Sequence, residues 1–285
     1  MGELVGGALL GHVPTLMLPE PTRVRLGEGR DTTLVAGLHR LRERLDAVRP
    51  DVLVIVDTHW FTTTEHIVAG QERHRGTYTS EELPKVIRGV EYDFPGAPEL
   101  AERIERIGRG KGQRVLNATD PHLTQHYPTL NLLTYLHRGE KVLSTGVCQT
   151  AERDDFVSFG SIIADAVAEG DERVVILASG GLSHRFWPLG QILEHAGYGP
   201  EHVVSPEARA IDERVLAHLR AGDHAAVLDL HSEYRAFAPE GLFGHYLTLA
   251  GAFAGSGWST PGDQLSDYES SYGTGQVHMW FGGNT

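Results

Sequence analysis

The sequence predicts an α/β fold: a single domain with a central mixed, largely parallel sheet flanked by helices, and an active site at the C-terminal ends of the strands. Three observations carry this expectation. Uninterrupted apolar runs of strand length occur at 52–56, between Asp51 and Asp57, and at 174–179, after Arg173; such runs belong to strands buried on both faces. Segments with apolar residues at four-and-three spacing lie between runs of this kind, and that alternation is the mark of helices crossing over a sheet. Finally, the 285 residues contain no internal repeat, low-complexity tract or linker long enough to divide them, and a chain of this length can bury one large core.

In chain order, 4–10 reads as the first strand. A helix follows over 31–48, where Leu34, Leu38, Leu41, Leu45 and Val48 share a face behind Asp31-Thr32-Thr33, and Pro50 closes it. After the strand at 52–56, a short strand is expected at 66–69. The stretch 65–94 is otherwise irregular, with GTYTSEELP and a YDFPG turn, and is placed over the edge or mouth of the sheet. Helices are expected at 98–108, 129–137, 154–169, 206–220, 223–230 and 242–255, with strands at 141–147 and 174–179 and a last strand at 276–281. The pattern does not order the strands.

Composition narrows the function. Asp plus Glu number 38 against 25 Lys plus Arg, a net charge of −13 with histidine neutral, and no basic block is present, so nucleic acid is not an expected partner. No apolar run approaches the roughly 20 residues of a membrane span, and no membrane association is expected. The start, MGELVGGALL, carries Glu3 without a basic leader and reads as a strand rather than a secretory signal. Cys148 is the only cysteine, which rules out intrachain disulfides and multi-cysteine metal sites, suits a cytoplasmic location, and suggests an inert buried thiol. Gly108-Arg109-Gly110-Lys111-Gly112 follows a helix rather than a strand and reads as a surface turn. There is no G-x-S-x-G elbow, Walker loop or H-E-x-x-H motif.

The histidines are more informative. His12 follows the first apolar strand, His59 the second, and His184 lies just beyond the run at 174–179. Ligands of open α/β sheets collect beyond the carboxyl ends of strands. Singly, each is as well read as a turn histidine bonded to backbone; three at equivalent strand ends favour convergence on one ion. Two imidazoles and one carboxylate on one face of an ion leave positions open for substrate and dioxygen, as in non-haem Fe(II) oxygenases. Spacing does not single out the carboxylate among 38 acidic residues. Glu240, in Phe237-Ala238-Pro239-Glu240-Gly241, either serves this purpose or simply favours a helix N-terminus. Asp57 is either an acceptor that orients His59 or a cap at its strand end.

At GHVPTL (11–16), VDTHWF (56–61), GTYTSEELP (76–84), LASGGLSHRF (177–186) and SSYGTGQV (270–277), nearly the whole chain resembles the class III extradiol ring-cleaving dioxygenases, in particular their homoprotocatechuate branch. The resemblance implies an Fe(II) centre, with Mn(II) as the alternative ion, whose ligands fall on His12, His59 and Glu240, and an acid–base histidine at His184. Many members carry a second active-site histidine in an Asp-His-Gly segment; this chain has His126-Tyr127-Pro128, as that branch does, and Tyr127 either donates a hydrogen bond or merely packs. The implied reactants are O2 and a small aromatic diol, 3,4-dihydroxyphenylacetate first, opened to a muconic semialdehyde; another catechol or a 2-aminophenol is the alternative, and a homo-oligomer is implied. Arg185, His245 and Tyr246 are candidates to meet a substrate carboxylate, against an equal reading as surface or core groups. A zinc hydrolase with the same ligands and a non-catalytic metal-binding relative are the competing classes.

Overall fold

In the computed structural model, which describes residues 1–283, eight strands form one mixed, mostly parallel sheet. The strands of the chain are β1 (Glu3–Leu10), β2 (Val52–Thr62), β3 (His66–Ala69), β4 (Arg73–Tyr78), β5 (Val90–Pro95), β6 (Val115–Ala118), β7 (Lys141–Cys148), β8 (Arg173–Ser179), β9 (Asp263–Gln264), β10 (Glu269–Ser271), β11 (Thr274–Gln276) and β12 (His278–Gly282). The main sheet has the order β6-β3-β7-β2-β8-β1-β12-β9, while β4–β5 and β10–β11 are separate antiparallel pairs. Parallel pairing links β7, β2, β8 and β1, and β12 joins β1 antiparallel.

The apolar runs are continuous because both faces of these central strands are covered. Val52, Val54 and Val56 face one core and Leu53 and Ile55 the other; Val174 and Ile176 alternate with Val175 and Leu177 in the same way. The first core is closed by α3 (Pro98–Gly110), α5 (Arg153–Ala168), α6 (Pro206–Ala221), α7 (His224–Tyr234) and α8 (Gly244–Ala252), numbered so that α1 (Glu20–Leu26), α2 (Thr33–Val48) and α4 (Tyr127–Leu136) precede or interleave them. The second is closed by α2 and α4. Helix α2 starts as its sequence indicates, with the Thr32 side chain accepting from the Leu34 amide at 3.2 Å.

Two boundaries differ from expectation. The last strand is two: β11 pairs with β10, and only after Val277, whose carbonyl accepts from Gly11, does β12 enter the main sheet. The helix expected from 242 begins at Gly244, because Gly241, Leu242 and Phe243 all adopt left-handed backbone, with φ of 54°, 60° and 62°. Apolar periodicity cannot register that turn. The segment 65–94 contributes β3 to the sheet and carries a loop, 79–89, over its mouth. Cys148 is a buried free thiol, and no helix among the described residues is long and apolar enough to cross a membrane.

Candidate active site

The ladders end together. Leu10 and Asp57 both pair with Ser179, so the β1–β8 and β2–β8 ladders stop side by side, and the residues just beyond those last pairs emerge over one region. In β2 the pairing with β7 jumps from Asp57–Gly146 to Phe61–Val147. Residues 58–60 are thereby looped out, a bulge that turns His59 toward the neighbouring strand end. Asp57 holds this loop: one oxygen accepts from the His59 and Trp60 amides (2.9 and 3.2 Å), the other from Thr129 at the start of α4 (Oγ1, 2.7 Å). The carboxylate thus ties the His59 bulge to the helix that carries Tyr127.

Glu240 arrives from 182 residues further on than Thr58, whose hydroxyl donates to its Oε1 at 2.7 Å. Its backbone is pinned to the His184 loop: the Glu240 amide donates to the Leu182 carbonyl, and Ser183 and Pro239 form a bridge. The left-handed turn immediately after Glu240 costs about 1–3 kcal/mol at each of Leu242 and Phe243. Burial of the Phe243 ring against Tyr234 and Tyr246 (centroids 5.0 and 4.8 Å) opposes that cost.

His12 Nε2 and His59 Nε2 lie 3.2 and 3.3 Å from Glu240 Oε1. This is the only group of three or more His, Cys, Asp or Glu side chains among the described residues whose donor atoms lie close enough to hold an ion, all within 4.8 Å of one another. The set fits a metal. Donors about 2.1 Å from an ion stand about 3 Å apart on adjacent octahedral corners. Ser179 Oγ lies 3.0 Å from His12 Nδ1 and Glu82 Oε2 3.5 Å from His59 Nδ1, so the second nitrogen of each ring has a partner while Nε2 faces Glu240. Burial alone would raise the Glu240 pKa, yet the charges of His12 and His184 and hydrogen bonds from His12 and His59 hold it well below the usual carboxylate range. A buried carboxylate ringed by imidazoles is a place for positive charge.

His184 Nε2 is 3.6 Å from Glu240 Oε2, outside the donor triad but beside it, and burial lowers its pKa against the opposing charge of Glu240. Its loop is anchored through Ser183, whose amide and hydroxyl donate to Asp212 (3.0 and 2.7 Å), as do the Tyr234 and Tyr268 hydroxyls. The Tyr127 hydroxyl lies 2.8 Å from His59 Nε2. Burial, then the nearby Glu240 charge, pushes its pKa up, so the phenol keeps its proton. His12, His59, Glu240, His184 and Tyr127 all line one cavity of about 420 Å³.

Three further candidates, Arg185, His245 and Tyr246, do not line this cavity. Arg185 is exposed and donates to the Ala236 carbonyl at 2.7 Å. His245 is fully buried against Gly180, and Tyr246 is a core residue bonded to His224 Nδ1 at 2.9 Å. Arg185 directly follows His184, and successive side chains diverge along the backbone; His245 and Tyr246 lie beyond the left-handed turn, in a helix whose residues are all buried. His122 and His126 do not line the cavity either. Thr58, Ser179, Glu82 and Asp212, which sequence reasoning gave no role, hold the site residues; three of the four sit within or beside the motifs DTHW, LASGGLSH and TSEELP.

Fold and site define an α/β enzyme with a two-histidine, one-carboxylate donor set at the ends of parallel strands. Residues 6–282 match the family described as the catalytic LigB subunit of aromatic ring-opening dioxygenase, and the chain belongs to that family of extradiol ring-cleaving enzymes. It is 28% identical over 283 residues to 3,4-dihydroxyphenylacetate 2,3-dioxygenase of Escherichia coli, covering 98% of this chain and 99% of that one. To the 2-aminophenol 1,6-dioxygenase beta subunit of a Pseudomonas species it is 24% identical over 195 residues, 64% of this chain and 63% of that one. The crystal structure of an uncharacterized protein from Escherichia coli K12 shares the fold, with a TM-score of 0.65 at 20% identity over 98% of this chain and 100% of the other.

Proposed function

We propose that this chain, a single catalytic domain over 1–285, carries out Fe(II)-dependent extradiol cleavage of a catechol with O2, giving a ring-opened semialdehyde. The observation that supports it is the convergence of His12 Nε2, His59 Nε2 and Glu240 Oε1 beside His184 and Tyr127 in one cavity. In this reading His12, His59 and Glu240 hold the metal, which when bound supplies a Lewis-acidic, redox-active centre with positions left for both catechol oxygens and dioxygen. Mn(II) suits the same donors.

The chain's own residues do the rest. Thr58 and the Gly181 amide keep the Glu240 carboxylate turned inward, and Ser179 holds the His12 ring through Nδ1, with Nε2 directed at Glu240. His184, neutral because burial lowers its pKa, takes a catechol proton at an imidazole nitrogen and returns it as the ring opens. Tyr127 presents its protonated hydroxyl next to the His59 ligand atom. Apolar side chains such as Val13, Leu83 and Val86 line the same cavity as the site residues. The 3,4-dihydroxyphenylacetate acted on by the Escherichia coli relative is the reference catechol for assay.

Variants separate the roles. His184→Ala is expected to retain iron and turn over about 100- to 10,000-fold more slowly. His59→Ala is expected to lose iron, measured by metal analysis after anaerobic reconstitution. Iron loss in the first, or full occupancy in the second, overturns the assignment of that residue.

A further inference from the structure

From the lining of the cavity, we infer that this chain opens catechols whose ring substituent is uncharged and apolar, in preference to catechols carrying a carboxylate. This rests on the ring-cleaving role proposed for the site and names the class of substituent it takes. Away from the donor triad the wall carries Leu18, Leu83, Val86, Phe186, Ile192 and Leu193, and its polar side chains from Thr15 and the 271–276 segment are uncharged. Phe186 and Leu193 are 51% and 80% exposed. Large apolar side chains left in water at the mouth of a site gain by covering an apolar group.

No arginine or lysine lines this cavity, nor the adjoining recess that shares His59, Glu82, His184 and Glu240, among the described residues. The basic side chains on the two flanking segments are engaged or directed elsewhere: Arg185 with the Ala236 carbonyl, Lys85 and Arg88 exposed to solvent on the 79–89 loop. Outside the triad and His184, the charged group that does line the cavity is Glu82. A carboxylate brought in on a substituent would give up water without gaining a cation. It would also face the Glu82 carboxylate, which stands 3.5 Å from His59. An ester or alkyl group of the same length keeps the apolar contacts and meets neither penalty. Selection therefore has an attractive part, the leucine-rich wall, and a repulsive one.

The test compares 3,4-dihydroxyphenylacetate with its methyl ester and with 4-propylcatechol, using the full-length Fe(II)-loaded protein. kcat/KM is measured in air, and affinity by calorimetry under anaerobic conditions, where no turnover occurs. The ester and the alkylcatechol are expected to exceed the acid by at least about tenfold in both measurements. Leu193→Arg places a cation on the exposed rim and is expected to narrow the ester-to-acid ratio by about tenfold, mainly through KM. An acid that equals or surpasses the ester in wild-type affinity overturns the inference. So does an unchanged ratio in Leu193→Arg with normal turnover of the ester. Absence of ring opening for all three compounds by iron-loaded protein overturns the proposed reaction instead, and the anaerobic affinities still decide the preference.

Discussion

Replacing Gly241 by alanine adds a single carbon at the point where the chain turns away from Glu240, and the structure fixes what that carbon meets. Gly241 has φ of +54°, and a Cβ built there lies 2.7 Å from Thr58 Cγ2 and 3.1 Å from Thr58 Cβ. The left-handed backbone costs an alanine about 1–2 kcal/mol, and overpacking against a buried threonine costs about 1–3 kcal/mol more. The expected loss is about 2–5 kcal/mol, or roughly 3–8 °C in Tm for a domain of this size. The displaced group is also the one whose hydroxyl holds Glu240 Oε1 at 2.7 Å, so Fe(II) affinity is expected to fall by about 10- to 100-fold. Thr58→Ser removes the offending Cγ2 and keeps the hydroxyl. In a double-mutant cycle it is therefore expected to recover the overpacking part, about 1–3 kcal/mol, and most of the metal affinity, while the backbone part persists. Urea denaturation of the four proteins, with anaerobic iron titration alongside, reads both quantities. Wild-type stability and iron affinity in Gly241→Ala, or strictly additive effects in the cycle, would refute the reasoning.

Buried groups set two other expected outcomes. Burial lowers the pKa of His66 and His74 to about 4 and of His278 to about 3, so the fold holds them neutral while the unfolded chain protonates them near 6.5. Folded values below unfolded ones mean that stability is complete above about pH 6.5 and falls as pH drops toward 4, by about 1.4 kcal/mol per pH unit for each group. His66 stacks on Phe159 at 4.3 Å and 5°; His66→Phe is expected to flatten the slope of unfolding free energy between pH 6.5 and 5 by about that amount, and an unchanged slope contradicts it. Asp212→Asn replaces the acceptor of four hydrogen bonds beneath the His184 loop. It is expected to cost about 2–4 kcal/mol and to lower kcat with iron retained; unaltered kcat at full stability, or loss of iron, contradicts a positioning role.

How much of the fold and site was legible in the sequence depends on whether the information was local. Val52–Val56 and Val174–Ser179 announced central strands because burial on both faces leaves no polar position to break the run. His12, His59 and His184 were legible because each follows such a run, where an open sheet gathers ligands. Glu240 was named by resemblance rather than by spacing, since it reaches the site through a left-handed turn and contacts with Leu182 and Thr58, long-range in sequence. The same turn hid the true start of α8. The break at Val277 between β11 and β12 depends on where Gly11 offers a hydrogen bond, which no local pattern encodes. Arg185 adjoins His184 in sequence, yet its guanidinium binds the Ala236 carbonyl, a partner 51 residues away that no local pattern announces.

The most direct test of the central claim is a single-turnover reaction of the anaerobically Fe(II)-loaded protein with one equivalent of a catechol and labelled O2, monitored by oxygen uptake and mass analysis of the product. The account predicts one O2 consumed per catechol and a ring opened beside, not between, the two hydroxyl-bearing carbons, with both labelled atoms incorporated. Opening between those carbons, product formed without oxygen, or no uptake by protein shown to hold iron at His12, His59 and Glu240 would contradict it.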